Sequence, residues 1–151
     1  VTLHACGKFI SMKNSNECGY ALIMSTEIIG LSHLEREIIA NVVRYNIRDF
    51  DYDMMQLETE AGQDLAGVSD RTAITILIAK LTAILRLANS MDKTHKAKLI
   101  DSRMAVRDGR LVITTGYQGD LALESASFEQ KAAFFEEIFG IRPVLKQKRR
   151  V

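Results

Sequence analysis

The chain has 151 residues, 47% of them hydrophobic and 26% charged, which is enough for one ordinary domain with or without a small appendage and excludes a disordered composition. No apolar run approaches the roughly 18 residues of a membrane span, no signal peptide is visible, and two cysteines, Cys6 and Cys18, are too few for a disulfide scaffold, so free thiols in a reducing cytoplasm are expected. The net charge of +1 hides a split: residues 1–70 hold 5 Lys+Arg against 11 Asp+Glu, and residues 71–151 hold 15 against 8, a pattern that fits either plain solvation or a basic face for an anionic partner.

The sequence opens on VTLHACG without an initiator Met and with an apolar run already under way, so its natural N-terminus is expected upstream. Residues 17–29, ECGYALIMSTEII, carry Ala21, Ile23, Met24 and Ile28 at helical spacing, and Gly30 stops the helix. Ser32 and Glu35 make a capping box for a second helix that runs to Tyr45, with Leu34, Ile38, Ile39, Val42 and Val43 on its apolar side. Residues 49–68 are acidic, contain Gly62 and Gly67, and read as a loop. Ser69 or Asp70 caps the longest helix, about 71–91, whose apolar residues cover more than one face and predict a central, buried helix.

After about residue 100 the period changes from helical to alternating. Arg103–Arg107, a turn at Asp108-Gly109 and Arg110–Thr115 predict a hairpin, because Asp-Gly supplies the positive φ angles of a tight turn. Leu121–Glu124 reads as a third strand. Ser127 with Gln130 reads as a capping box for a helix to Phe139, ended by Gly140, and Ile141–Leu145 as a last strand placed at a sheet edge by Pro143. The expected fold is therefore mainly α over residues 1–100, followed by a small α+β unit over 101–151.

The chemistry-bearing residues are few. A metal phosphohydrolase needs several His and Asp ligands, because its cation must bind phosphate oxygens and acidify a water. Only His4, His33 and His95 are present, and no HxxxH, HExxH or CxxC spacing occurs. His33, one residue inside a helix start, reads as a surface residue. GxSxG, GxGxxG and GxxxxGK[ST] are absent as well. The end of the long helix is richer: Asn89, Asp92, Lys93, His95, Lys96 and Lys98. Asp92 and Lys96 are four apart and suit pairing on a helix surface. Lysines suit phosphate as mobile point charges, although basic residues here also complement a helix C-terminus. The basic tail KQKRR, 146–150, lacks interleaved aromatics, which argues against nucleic acid as a partner.

Residues 3–46, LHACGKFISMKNSNECGYALIMSTEIIGLSHLEREIIANVVRYN, together with LTAILRLANSMDKTHKAK (81–98), DGRLVI, LALES and FFEEIFGIRP, resemble the HD-like helical domain and small final domain of the exopolyphosphatase and guanosine pentaphosphate phosphohydrolase (Ppx/GppA) family. The resemblance implies that catalysis and its magnesium belong to actin-like domains upstream in the same parent chain, none of whose motifs occurs here. It further implies a packing, dimerising and polyphosphate-binding role for this region, through Arg44, Lys93, His95, Lys96 and Lys98. Carried over residue by residue, the His of the HD pair falls on His4, its Asp on Ala5 and the late Asp on Asn89, with Asp92 retained. The metal positions His4, Asn89 and Asp92 are then vestigial, since Ala and an amide replace the anionic ligands a hard cation requires. The expectation is a non-catalytic C-terminal module, without metal or catalytic residues of its own, that binds polyphosphate, forms a homodimer and engages no membrane. The alternatives are a divergent metal-dependent HD phosphohydrolase built on His4, Asp92 and water, or a regulatory domain for guanosine tetra- or pentaphosphate.

Overall fold

A computed structural model of the chain describes residues 3–52 and 68–148, without the side chains of 68–70. A 3-10 helix, Cys6–Phe9, precedes helices α1 (Ser15–Ser25), α2 (His33–Tyr45) and α3 (Val68–Met91). Strands β1 (Arg103–Arg107) and β2 (Arg110–Thr115), helix α4 (Ala122–Phe139) and strand β3 (Arg142–Gln147) follow. The fold is thus mainly helical with a small sheet-bearing part, as expected. Most of the predicted acidic loop, residues 53–67, and the last two arginines of the basic tail lie outside the described residues, as do the side chains of Ser69 and Asp70.

The chain forms two compact units, residues 1–82 and 83–151, that divide within α3. In the first, Ile23, Ala40 and Val43 form a core joined by Leu3, Cys6, Tyr20, Met24, Ile28 and Ile39. Two glycines let the backbones approach. A Cβ on Gly7 would run into the carbonyl oxygen of Ser15, and one on Gly19 would lie 2.9 Å from Val43 Cγ1. The predicted first helix ends earlier than Gly30. The hydroxyls of Ser25 and Thr26 both donate back to the Leu22 carbonyl, at 3.2 and 2.6 Å, and Thr26 leaves in extended conformation. For α2 the predicted capping box is present: Glu35 N donates to Ser32 Oγ at 3.2 Å, and Ser32 N to Glu35 Oε2 at 2.8 Å. Its fully buried face includes Glu37 and Asn41, which the apolar pattern did not contain. The Asn41 amide donates to the Glu37 carbonyl at 3.0 Å, so the polar group enters with a partner.

In the second unit, Ala83 and Leu87 of α3 pack with Ile113, Phe128 and Phe135. That packing explains why the compact boundary lies before residue 100, where the periodicity changes. Residues 71–91 are long and apolar enough, by length and composition, to cross a membrane, with a mean hydropathy of 1.5. Part of this character belongs to the buried residues Ile78, Ala79, Ala83, Leu85 and Leu87, while Ile76, Leu77, Leu81 and Ile84 are exposed, so α3 is not buried all round.

The sheet order is β1-β2-β3, with β1 antiparallel and β3 parallel to β2. The hairpin has its predicted limits, with φ of 50° at Asp108 and 68° at Gly109. Parallel pairing requires a crossover, and α4 supplies it. The expected third strand at Leu121–Glu124 is instead the start of α4. Leu121, Glu124, Phe128, Ala132 and Phe135 are buried at helical spacing, and Leu123, the other half of the apparent alternation, is exposed. Ser127 lies inside the helix and caps nothing, and Asp120 Oδ1 receives the Ala122 amide at 2.8 Å. The third strand is β3, and among the described residues Pro143 sits on a strand paired on one side, as an edge position requires.

Candidate anion site of the second unit

Helix α3 ends at Met91, so the basic run that follows is not helical. Asp92 therefore does not pair with Lys96 along a helix. Its carbonyl accepts from His95 N at 3.0 Å and its Oδ1 from Ala97 N at 2.9 Å, folding the segment into a tight loop. His95 and Ala97 have φ of 53° and 50° within it.

The loop divides the basic cluster. Lys93, His95 and Lys96 are exposed, whereas Lys98 turns inward. Its side chain is 13% exposed, and Nζ donates to Asp120 O at 2.9 Å and to Glu124 Oε2 at 3.1 Å. Glu124 is fully buried, and its other oxygen accepts from Thr94 Oγ1. That hydroxyl, opposed by burial and helped by Lys98, holds the Glu124 carboxyl below the ordinary glutamate range. The carboxylate thus stays charged and ties the 92–98 loop to the start of α4.

Lys98 also reaches the wall of an open cavity of about 420 Å³, lined by Asp101, Arg103, Thr114, Thr115, Gly116, Tyr117 and Lys148 as well. The cavity lies where the parallel strands β2 and β3 end, which is the side of an α/β crossover where ligands characteristically bind. Its rim is held by amides. Gln147 Nε2 donates to Tyr117 O at 2.8 Å and Gly119 O at 3.0 Å, and Gln118 Nε2 donates to Gly116 O at 2.9 Å and Lys148 O at 3.0 Å. Arg103 and Lys148 therefore meet at one opening beside Lys98, whose charge is already matched by Glu124, with Asp101 as the one carboxylate among the lining residues. Such a set attracts an anion.

Sequence reasoning found Lys98 but not Arg103, Lys148, Thr94 or Glu124. Arg103 and Lys148 sit at opposite ends of the small unit's sequence and meet only through the crossover. A glutamate in the apolar stripe of α4 was the available sign of Glu124. Arg44 lies in the first unit, where its Nε donates to Glu17 Oε1 at 3.0 Å and its guanidinium stands 4.9 Å from the centre of the Tyr20 ring. Arg48 shares Glu17, at 3.1 Å. His4 is half-buried beside the 3-10 helix of the first unit, and Asn89 and Asp92 stand at the end of α3 in the second. His33 is exposed, its Nδ1 3.0 Å from Arg36 Nη2. Among the described residues, no three His, Cys, Asp or Glu side chains come together as a metal site would need.

Residues 1–131 match the family model described as Ppx/GppA phosphatase, domain III. No curated protein matches the chain.

Proposed function

The chain belongs to the Ppx/GppA phosphatase family, of which it carries domain III, and from that premise we propose that it is a non-catalytic C-terminal module of an exopolyphosphatase-like protein that binds polyphosphate. The observation that carries this reading is the convergence of Lys98, Arg103 and Lys148 on one open cavity. Lys93, His95 and Lys96 are exposed on the loop that leads into Lys98 and are the further phosphate contacts in this reading. Lysine heads free in solvent suit a chain of repeating phosphates, and Arg103 adds a planar fork for one phosphoryl group. Arg44, engaged with Glu17, serves the packing of α1 on α2 in this reading. The divalent ion and the catalytic acid belong to the parent's upstream actin-like domains, and dimerisation is part of the same proposal.

Titration with polyphosphates of increasing length tests it. Affinity rises with length and falls with salt, with a log–log slope of about −1.5 to −2 if Arg103 and Lys148 are neutralised. Arg103→Ala with Lys148→Ala reduces both the affinity and the slope. Saturation by guanosine tetraphosphate with no dependence on polyphosphate length overturns the reading in favour of a nucleotide-binding regulatory domain. Metal-dependent phosphate release by the chain, lost in His4→Ala, overturns it in favour of the hydrolase alternative. Sedimentation equilibrium showing a monomer at high concentration removes the dimer.

A further inference from the structure

The outer edge of β1 has no strand beside it among the described residues, and all five of its residues are exposed. The register fixes what that edge offers. Arg107 and Arg110 flank a two-residue turn, so they form a mutually hydrogen-bonded pair. Alternation along the ladder then turns the backbone groups of Arg103, Ala105 and Arg107 towards β2, and those of Met104 and Val106 outward. The side chains alternate too. Met104 and Val106 stand opposite Ile113 and Leu111, on the face that packs with α4, yet they are 61% and 62% exposed. The apolar face thus continues past its cover to an edge with free backbone donors and acceptors.

Charge identifies the occupant. No Asp or Glu stands in any of the three strands. Arg107 lies directly opposite Arg110, an unfavourable pairing of like charges. Neither has a carboxylate at ion-pair distance among the described residues, whereas Arg142 of β3 is held by Glu129 and Glu136. A second copy of the chain fits poorly. Antiparallel pairing about Ala105 sets Arg103 of each copy beside Arg107 of the other, and parallel in-register pairing sets each arginine beside itself.

We propose that the outer edge of β1 takes an extended acidic segment of a partner polypeptide as a fourth strand. The complementary pattern is acid–apolar–any–apolar–acid. The two acids meet Arg103 and Arg107, and the apolar pair covers Met104 and Val106. Main-chain hydrogen bonds supply the affinity and the alternate side chains the choice of partner. Arg107 and Val106 lie outside the cavity that the proposed polyphosphate site uses.

A fluorescein-labelled peptide containing Glu-Val-Thr-Val-Glu tests this by anisotropy, with Lys-Val-Thr-Val-Lys as control. Val106→Pro removes an outward N–H and leaves the β1–β2 bonds in place, as proline on an edge strand permits. It should weaken the Glu peptide at least tenfold with an unchanged circular dichroism spectrum. Arg107→Glu should weaken the Glu peptide and strengthen the Lys peptide, a reversal that loss of folding cannot produce. The proposal is overturned by equal affinity for the two peptides. It is equally overturned if Val106→Pro binds as the unsubstituted chain does, which leaves only unspecific charge attraction, or if β1 proves to pair with a second copy, seen as a dimer that Val106→Pro dissociates and the peptide does not.

Discussion

Replacing Lys98 by Met leaves the buried Glu124 carboxylate without its cation. In the unsubstituted chain, Thr94 Oγ1 serves one carboxylate oxygen and Lys98 Nζ the other, at 3.1 Å. Removing one member of a deeply buried ion pair costs about 3–5 kcal/mol. This pair lies just beneath the surface, with the Lys98 side chain 13% exposed, so solvent screening brings the expected loss at pH 7 to about 2 kcal/mol. Methionine keeps most of the lysine stem's packing, so the loss reports the charge. The Glu124 carboxyl is held low by Thr94 first and by Lys98, against burial. A depressed acid contributes stability above its unfolded pKa and loses it as pH falls through the folded one. Without Lys98 the carboxyl loses one of the interactions that hold it low while Thr94, the largest, remains, so the variant protonates at a higher pH than the unsubstituted chain and its deficit shrinks as pH falls through the acid range in which the two carboxyls titrate. Adding Glu124→Gln to Lys98→Met should recover most of the loss at pH 7. Urea unfolding followed by far-ultraviolet circular dichroism reads all three quantities. A deficit below about 0.5 kcal/mol at pH 7, or one that grows as pH falls into the acid range, refutes the reasoning.

Gly7→Ala places a methyl group against the Ser15 carbonyl and should cost about 3 kcal/mol, the upper range for overpacking, seen as a lowered urea midpoint. Ser32→Ala removes the oxygen that accepts the Glu35 amide and should cost about 1 kcal/mol by the same measurement. Ala97→Gly relieves a left-handed backbone at φ 50° and should be neutral or stabilising by up to about 1 kcal/mol, read as an unchanged or raised melting temperature.

What was legible in the sequence was local. Ser32 and Glu35 place the start of α2, and Asp108-Gly109 fixes the hairpin, because each signal acts over a few residues. The start of α4 was not legible. Its stripe runs through Glu124, and a pattern read from apolar residues alone passes over a buried acid and takes up the alternation of Leu121 and Leu123. The anion site was partly legible. Lysines 93, 96 and 98 announce themselves as a cluster, but which of them turns inward depends on Asp92 ending the helix and on Glu124, thirty residues from Thr94, receiving the loop. Arg103 and Lys148 are brought to Lys98 by the β2–α4–β3 crossover, a relation carried by topology and not by spacing.

The division of the two units inside α3 bears on how such a module is cut and recombined. A breakpoint near residue 100, where the sequence changes rhythm, would hand the C-terminal fragment a core missing Ala83 and Leu87. The family match stops at residue 131, in the middle of α4, so a fragment ending there would carry half a crossover and no β3. A cut at the 82/83 division keeps the residues of each unit together but severs the helix that runs through both, so neither unit can be lifted out with all of α3.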